Sequence, residues 1–533
     1  MVLLTVTLLC LTLLLPISHS ANVLVIAGFR GSHLYVSTDI ADKLAEFGHN
    51  VTVLTMFADR RESTKQRSFR VITYGDDDET GVVEKGIESL FVKALDYPSA
   101  DMAVKFWDSL STDEEMKKWG ESLNNLTLKY FLEDEFSNML NSNNFELVVV
   151  EDSVSLPALY PLFHLDIPIV GLFCLPINEV NQRFGLPVLM NSEPSTMNDV
   201  TNSPPSLIER LRTAVRSGRL ALGFKPQISH IKNLVFNSER NYGDMATYDV
   251  VFILDHPVFS FPLLSAPNSF YLGFFNLENR PLQSLEEDYQ EFLINCPHQH
   301  KILFSFGSYI RDITTFSGTP TILQTLREMD VCVIMKSEVD LSSKFDLQSE
   351  KFLLQSWVPQ KDLLRSGQID FFLSHCGNNG KIEAIYYNVP LLCIPLFGDQ
   401  YYNSRLVERN EFGLLLTRER LTGQTLKQSV ETMIIKKENF TVNMRRAADI
   451  ARNDPGAGVA SLKFYTDLLI KNGNADHLIN RIILEQWSFQ KYNYDIAAVA
   501  FIVVTSLTVG IIYHLIQCLN FCSGKFNRKI KGD

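Results

Sequence analysis

The sequence predicts an α/β protein of two parallel-sheet halves followed by one membrane-crossing helix. Three observations predict it. The runs Glu146–Glu151 and Ile369–Ser374 are nearly continuous apolar stretches without alternation, the pattern of strands buried on both faces. Such runs end in small or polar turns that open amphipathic helical patterns, the rhythm of a doubly wound sheet. That rhythm runs once to about residue 280 and restarts at Lys301, and much later Ile496–Ile516 gives 21 residues without Asp, Glu, Lys or Arg, enough to cross a ~30 Å hydrocarbon core.

Residues 1–20 read as a secretory signal: Val2–Leu15 is almost wholly apolar, and Ser18, His19, Ser20 and Ala21 form a small-residue exit. Asn22–Ala27 is a first strand, and Gly28 to Ser32 form a turn. His33 opens a helix with the apolar stripe Val36, Ile40, Leu44 and Phe47, closed by Gly48 before a second strand, Asn50–Phe57. Gly28 and Gly31 lack the spacing of a dinucleotide fingerprint, which disfavours nicotinamide chemistry. Residues 58–145 are mixed and polar, with helical segments near 84–95 and 99–140. Glu146–Glu151 is a strong strand with Asp152 at its end, and Ile167–Cys174 and Asp249–Leu254 are further strands. Pro257–Phe275 is Pro-rich and irregular. Strands then fall at Lys301–Phe306 (followed by Gly307 and Ser308), 331–335 and 352–355, and helical pattern fills 424–470.

Composition excludes several classes. The chain has 533 residues, 46% hydrophobic, with a net charge of −12, so it can bury two large cores and has no basic footprint for nucleic acid. The eight cysteines are scattered, with no CxxC or His-rich zinc spacing and no dense disulfide framework. The GDDDE run at Gly75–Glu79 could hold a divalent ion through Asp76–Asp78, but a solvated acidic turn is the simpler reading.

The stretch Phe371–Gly413 carries the densest chemistry. One strand ends in His375, Cys376, Gly377, Asn378, Asn379 and Gly380 and passes into a helix containing Glu383; the next, Pro390–Phe397, ends in Gly398, Asp399 and Gln400. In open α/β sheets ligands bind outside the carboxyl ends of the strands, and a helix N-terminus there offers backbone N–H groups and a positive dipole end to a diphosphate. In the first half, His33 at a helix start and Asp152 at a strand end could meet at the same kind of edge, the carboxylate orienting an imidazole that stays neutral near pH 7.

The residues His375, Gly377, Asn379, Gly380, Glu383, Ala384, Pro390, Pro395, Phe397, Asp399, Gln400 and Asn403 resemble the signature of the UDP-glycosyltransferase family, which includes the UDP-glucuronosyltransferases. The resemblance covers nearly the whole chain. It implies two facing Rossmann-like domains of the GT-B type: an acceptor-binding domain over 21–280, a UDP-sugar-binding domain over 281–475, a membrane approach over 476–495, the transmembrane helix at 496–516 and a cytosolic basic tail at 517–533. It implies His33 as catalytic base with Asp152 as its partner. Trp357 would stack on uracil, Gln360 would reach the nucleoside, and Ser308, His375 and Asn379 would bind phosphate with backbone N–H groups near Gly377–Gly380. Glu383 would take the ribose hydroxyls, and Asp399 and Gln400 the sugar. The reaction it implies is an inverting transfer of a hexosyl group, glucuronosyl before glucosyl, to small lipophilic acceptors, with no metal and no cofactor beyond the UDP-sugar co-substrate. Arg405 is the one candidate partner for a uronate carboxylate, and is equally a surface helix residue. A rival reading is a silent relative acting as a binding protein, motivated by Cys376 where the family pattern has glycine.

Lys525, Arg528, Lys529 and Lys531 beyond the span place the tail in the cytosol and the body in a lumen. Lys529 and Lys531 resemble a dilysine signal of the endoplasmic reticulum, and sequons stand at Asn50, Asn125 and Asn439. Association with itself or a related chain stays open.

Overall fold

Two all-parallel sheets carry the chain, as the unbroken apolar runs require. The structure is a computed structural model that describes residues 20–28, 31–57, 68–75, 134–151, 167–174, 248–260, 265–278, 284–479 and 494–530, with the isolated positions 81, 83, 85, 95 and 130. The expected signal segment, the GDDDE run, Asp152, Asn125 and the membrane approach between 480 and 493 lie outside the described residues.

The first sheet contains β1 (Asn22–Ile26), β2 (Asn50–Thr55), β3 (Arg70–Thr73), β4 (Leu147–Glu151), β5 (Ile169–Phe173), β6 (Val250–Ile253) and β7 (Ser269–Tyr271). Their spatial order is β3-β2-β1-β4-β5-β6-β7. The sheet therefore winds one way from β1 and the other way from β4, and the crevice between those two strands is its switch point. The second sheet contains β8 (His300–Ser305), β9 (Val331–Lys336), β10 (Phe352–Gln355), β11 (Phe371–Ser374), β12 (Leu391–Cys393) and β13 (Gly413–Leu415), in the order β10-β9-β8-β11-β12-β13. Its switch point lies between β8 and β11. Helices follow strands as expected, with α1 at Ser32–Glu46, α2 at Asp134–Asn143, α3 at Glu287–Asn295, α4 at Thr319–Glu328, α5 at Ser342–Phe345 and α6 at Gln360–Arg365. They continue with α7 at Asn378–Tyr387, α8 at Gln400–Arg409, α9 at Gly423–Ile435, α10 at Lys437–Arg452, α11 at Gly458–Asn472 and α12 at Tyr494–Ile530.

The helices follow from their sequences. The α1 stripe Leu34, Val36, Ile40, Ala41 and Leu44 is buried against β1 and β2. Thr422 caps α9 by accepting from Thr425 N–H, and Gly473 ends α11 in the left-handed conformation open to glycine. The end of the second half does not stay with the second sheet. Tyr465 on α11 stacks on Phe270 of β7, with ring centroids 3.5 Å apart, and Lys463 lies over the Phe47 ring at 5.1 Å. The last globular helix thus clamps the first sheet, although its sequence position groups it with the second.

Two disulfides join residues that looked scattered in the sequence. Cys296 after α3 bonds Cys332 in β9, and Cys376 bonds Cys393 at the end of β12. α12 contains a 27-residue stretch, Tyr494–Asn520, whose most apolar 18-residue window has mean hydropathy 2.4 and no residue buried against the rest of the chain. At 1.5 Å per residue it spans about 40 Å, enough for a bilayer core with some tilt.

A buried ion pair joins the two halves. Lys381 of α7 has a side chain 0% exposed, and its Nζ lies 3.5 Å from Asp255 Oδ1 just beyond β6 and 3.2 Å from Asn403 Oδ1 on α8. The Phe259 ring lies 5.8 Å from the same ammonium. Removing one member of such a pair strands the other charge, at a cost of about 3–5 kcal/mol. Lys381→Met is therefore expected to lower the thermal midpoint sharply, and Asp255→Asn added to it to recover part of the loss. Equal midpoints for the single and double variants would show that the pair is not coupled.

Candidate active site

The site is assembled from the two switch points. In the first sheet β1 leads through Gly31, with φ 76°, into α1, and His33 occupies the first turn. A Cβ at Gly31 would stand 2.8 Å from Ser308 Oγ and 3.2 Å from the Tyr309 ring, so glycine is required both by the backbone and by the close approach of the second half. His33 Nδ1 is 2.7 Å from Glu151 Oε1 at the end of β4. Glu151 is 1% exposed and the His33 side chain 23%, so the carboxylate is sheltered while the imidazole still reaches solvent. This is the orienter-and-base pairing that the sequence assigned to Asp152. Asp152 lies outside the described residues, and the described carboxylate on His33 is its neighbour, Glu151. The signal, an acid at a strand end, is the same for both residues.

In the second sheet Ser305 ends β8 and Ser374 ends β11. Gly307 (φ 81°) and Gly377 leave room for the His375 ring: a Cβ at either would come within 2.6 Å of its Nε2. The His375 Nδ1 atom is buried and without a hydrogen-bond partner among the described residues. Burial pushes the His375 pKa down to about 4, helped by the Lys336 cation and opposed by a backbone hydrogen bond at Ser305. His375 is thus a neutral hydrogen-bonding ring near pH 7. Lys336, at the end of β9, donates to Gly307 O at 3.1 Å and brings a cation to this loop that the motif reading missed.

Cys376 has φ 60°, a conformation glycine adopts without cost, and a non-glycine residue there costs about 1–2 kcal/mol. Its disulfide to Cys393 anchors the turn to the neighbouring strand, and Cys376 N–H donates to Ser374 Oγ at 3.0 Å. The turn thus holds the left-handed conformation with cysteine in place of glycine.

The α7 N-terminus then crosses to the other half. Asn378, absent from the expected set, donates to Leu254 O at 2.6 Å and lies 3.5 Å from Cys174 O; Asn379 Nδ2 lies 3.4 Å from Ser32 O, beside His33. A Cβ at Gly380 would make only ordinary contacts, the nearest 3.5 Å away on the Phe372 ring, so no neighbouring atom demands glycine there.

Of the three nucleoside candidates, two meet directly. Gln360 Nε2 donates to Glu383 Oε2 at 2.6 Å, and Lys361 Nζ lies 3.9 Å from Glu383 Oε1 and 3.5 Å from Asp39 Oδ2 across the cleft. Trp357 is 42% exposed, held by Tyr289 O–H on its carbonyl and edge-on to Tyr35 with centroids 6.0 Å apart. An exposed indole face is a stacking platform.

Asp399 and Gln400 open α8. Burial raises the Asp399 pKa, and His33, Asn403 and Lys381 pull it back down. Asn403 Nδ2 donates to Asp399 Oδ2 at 2.7 Å. Gln400 Oε1 accepts from Leu396 and Phe397 N–H at 2.8 and 3.0 Å, so its carbonyl holds the strand end and only its amide N–H groups can be offered to a ligand. Tyr309 lies among these groups: burial, then Glu151, Cys174, Tyr35 and Asp399, keep its phenol protonated. Arg405 pairs with Glu408 at 3.8 Å on an exposed face of α8, the surface alternative of the sequence reading.

Comparison with known proteins identifies the class. The forosaminyltransferase SpnP of spinosyn shares the fold with TM-score 0.55 at 15% identity, over 85% of this chain and all of that one. The calicheamicin glycosyltransferase CalG4 aligns with TM-score 0.53 at 15% identity, over 85% and 99%. The two sheets with a shared cleft are a glycosyltransferase fold of the GT-B type. The sequence matches the family described as UDP-glucoronosyl and UDP-glucosyl transferase over residues 21–531, and the chain belongs to that family. It is 23% identical to human UDP-glucuronosyltransferase 3A2 over 516 residues, 93% of this chain and 92% of that protein. It is also 28% identical to human 2-hydroxyacylsphingosine 1-beta-galactosyltransferase over 271 residues, 51% and 47% of the two chains. The chain is a glycosyltransferase enzyme.

The depressed His375 pKa predicts a pH dependence of stability. The unfolded chain takes up this proton near 6.5 and the folded chain only near 4, so unfolding binds a proton between those values. Stability therefore falls as pH drops through that window. His375→Gln is expected to flatten the fall in thermal midpoint between pH 6.5 and 4, measured on ligand-free protein; parallel curves would refute the assignment.

Proposed function

We propose that this enzyme transfers a hexosyl group, glucuronosyl first, from a UDP-sugar to the hydroxyl of small lipophilic acceptors, with inversion. The observation that carries this reading is the His33–Glu151 pair, 2.7 Å apart at the switch point of the first sheet. His33 Nε2 takes the acceptor proton while Glu151 holds Nδ1 and stabilises the imidazolium that forms. The acceptor oxygen attacks the anomeric carbon as the bond to the diphosphate breaks on the opposite face. UDP leaves with charge that the α7 N-terminus, His375 and Ser308 are placed to receive. Glu383 with Gln360 takes the ribose, Trp357 the uracil, and Asp399 with the Gln400 amide the sugar hydroxyls.

The preference for glucuronosyl leans on the names of relatives such as human UDP-glucuronosyltransferase 3A2, and glucosyl transfer is the alternative by the same mechanism. No metal takes part in this scheme. The body faces a lumen of the endoplasmic reticulum, anchored by α12. Supporting this are the apolar span, the basic residues that follow it, and two disulfides, which persist in oxidising compartments.

Detergent-solubilised protein offered UDP-glucuronate and UDP-glucose with a panel of phenols and terpenoid alcohols is expected to transfer from one of them, in the presence of EDTA. His33→Ala should abolish transfer with UDP binding intact. Glu151→Gln should lower kcat by about 10²–10⁴-fold, more than Asp152→Asn does, with little change in donor KM. A fully active His33→Ala enzyme, or activity lost in EDTA, would overturn the mechanism.

A further inference from the structure

Cys174 directly follows β5, the strand paired with the β4 strand that ends in Glu151, and stands outside both disulfides. Its Sγ, a Glu151 oxygen and a His33 ring nitrogen all lie within 4.8 Å of one another. Thiolate, imidazole and carboxylate are together the ligand chemistry of zinc. A tetrahedral zinc ion with bonds of about 2.0–2.3 Å spaces its donors about 3.3–3.6 Å apart, so small side-chain movements would gather these three around one ion. The carboxylate is not a stray surface acid, because Glu151 is 1% exposed and already faces the imidazole. His33 keeps 23% of its side chain open, which leaves an approach for the ion.

We propose that His33, Glu151 and Cys174 form an inhibitory site for a soft or borderline divalent cation, zinc above all, with the fourth position left to water. Binding releases the Cys174 thiol proton to solvent and takes the His33 Nδ1 atom that faces Glu151, so the ring proton moves to Nε2 and the lone pair that the acceptor hydroxyl requires is lost. Magnesium, which favours six oxygen ligands, does not fit this set. The cation switches the enzyme off reversibly and in competition with the acceptor, not with the UDP-sugar. The inhibitory consequence rests on His33 acting as the base; occupancy of the site does not.

The two parts are separated by two measurements on the full chain in detergent. Cobalt titration followed in the near ultraviolet reports thiolate-to-metal charge transfer without any turnover. One equivalent with this band, absent in Cys174→Ser and weakened at least tenfold in Glu151→Gln, is the expected result. Transfer assays with added zinc should then show loss of activity restored by EDTA, no loss with magnesium, and a midpoint at least tenfold higher in Cys174→Ser, whose basal transfer is retained. Cobalt binding without the band, or a zinc midpoint unchanged in Cys174→Ser, would overturn the site. If the band appears and zinc leaves transfer unaffected, the site stands and its inhibitory role falls. If no variant transfers, the cobalt result still decides the site.

Discussion

The first turn of α7 is where two separate sheets become one site. It starts at the β8/β11 switch point, where its N–H groups face the second half's own cleft. Three of its side chains reach across: Asn378 to Leu254 O, Asn379 to Ser32 O and Lys381 to Asp255. The same turn therefore sets the diphosphate end of the cleft and the distance between the two halves. A shift of this turn by an ångström would alter both the leaving-group contacts and the separation of His33 from Asp399, and misplacements of that size cost large factors in rate.

The electrostatics follow from this closure. Burial holds His375 and Tyr309 neutral and resists ionisation of Asp399. Where charge is kept, it is matched: Glu151 by His33, Lys381 by Asp255 and Asn403, Glu383 by Gln360 and Lys361. A water-poor cleft of this kind strengthens each oriented dipole on an incoming diphosphate. It also explains why the cations that touch the site, Lys336 and Lys361, approach from its edges and share their charge with a carbonyl or two carboxylates.

Much of the architecture was legible because parallel sheets impose local rules. Strands buried on both faces must be apolar throughout, and helices between them must carry one apolar stripe, so β1, β4, β11 and α1 could be read from a few residues each. His375, Glu383 and Asp399 were legible because strand ends and helix starts concentrate exposed backbone groups. The contact of Glu151 with His33 was not, since the face to which the last residue of a strand turns depends on how the strand sits in the sheet. The disulfide of Cys376 was hidden for a related reason. Its positive φ was foreseeable, but its tether to Cys393 depends on β11 and β12 lying side by side. Asn378 and Lys381 carried no signal of their own, because an asparagine and a lysine at a helix start read as solvated until another domain is placed against them.

The amino-acid sequence alone determined the two βα rhythms, the apolar anchor and the polar turns at the strand ends, because each follows from hydrophobic period and turn chemistry over neighbouring residues. Only the tertiary structure decided the strand orders that create two switch points, the return of α11 to the first sheet, and which groups meet across the cleft. Those depend on contacts between residues hundreds of positions apart, such as Lys381 with Asp255 and Tyr465 with Phe270, and no local pattern in a chain encodes its partner at that distance.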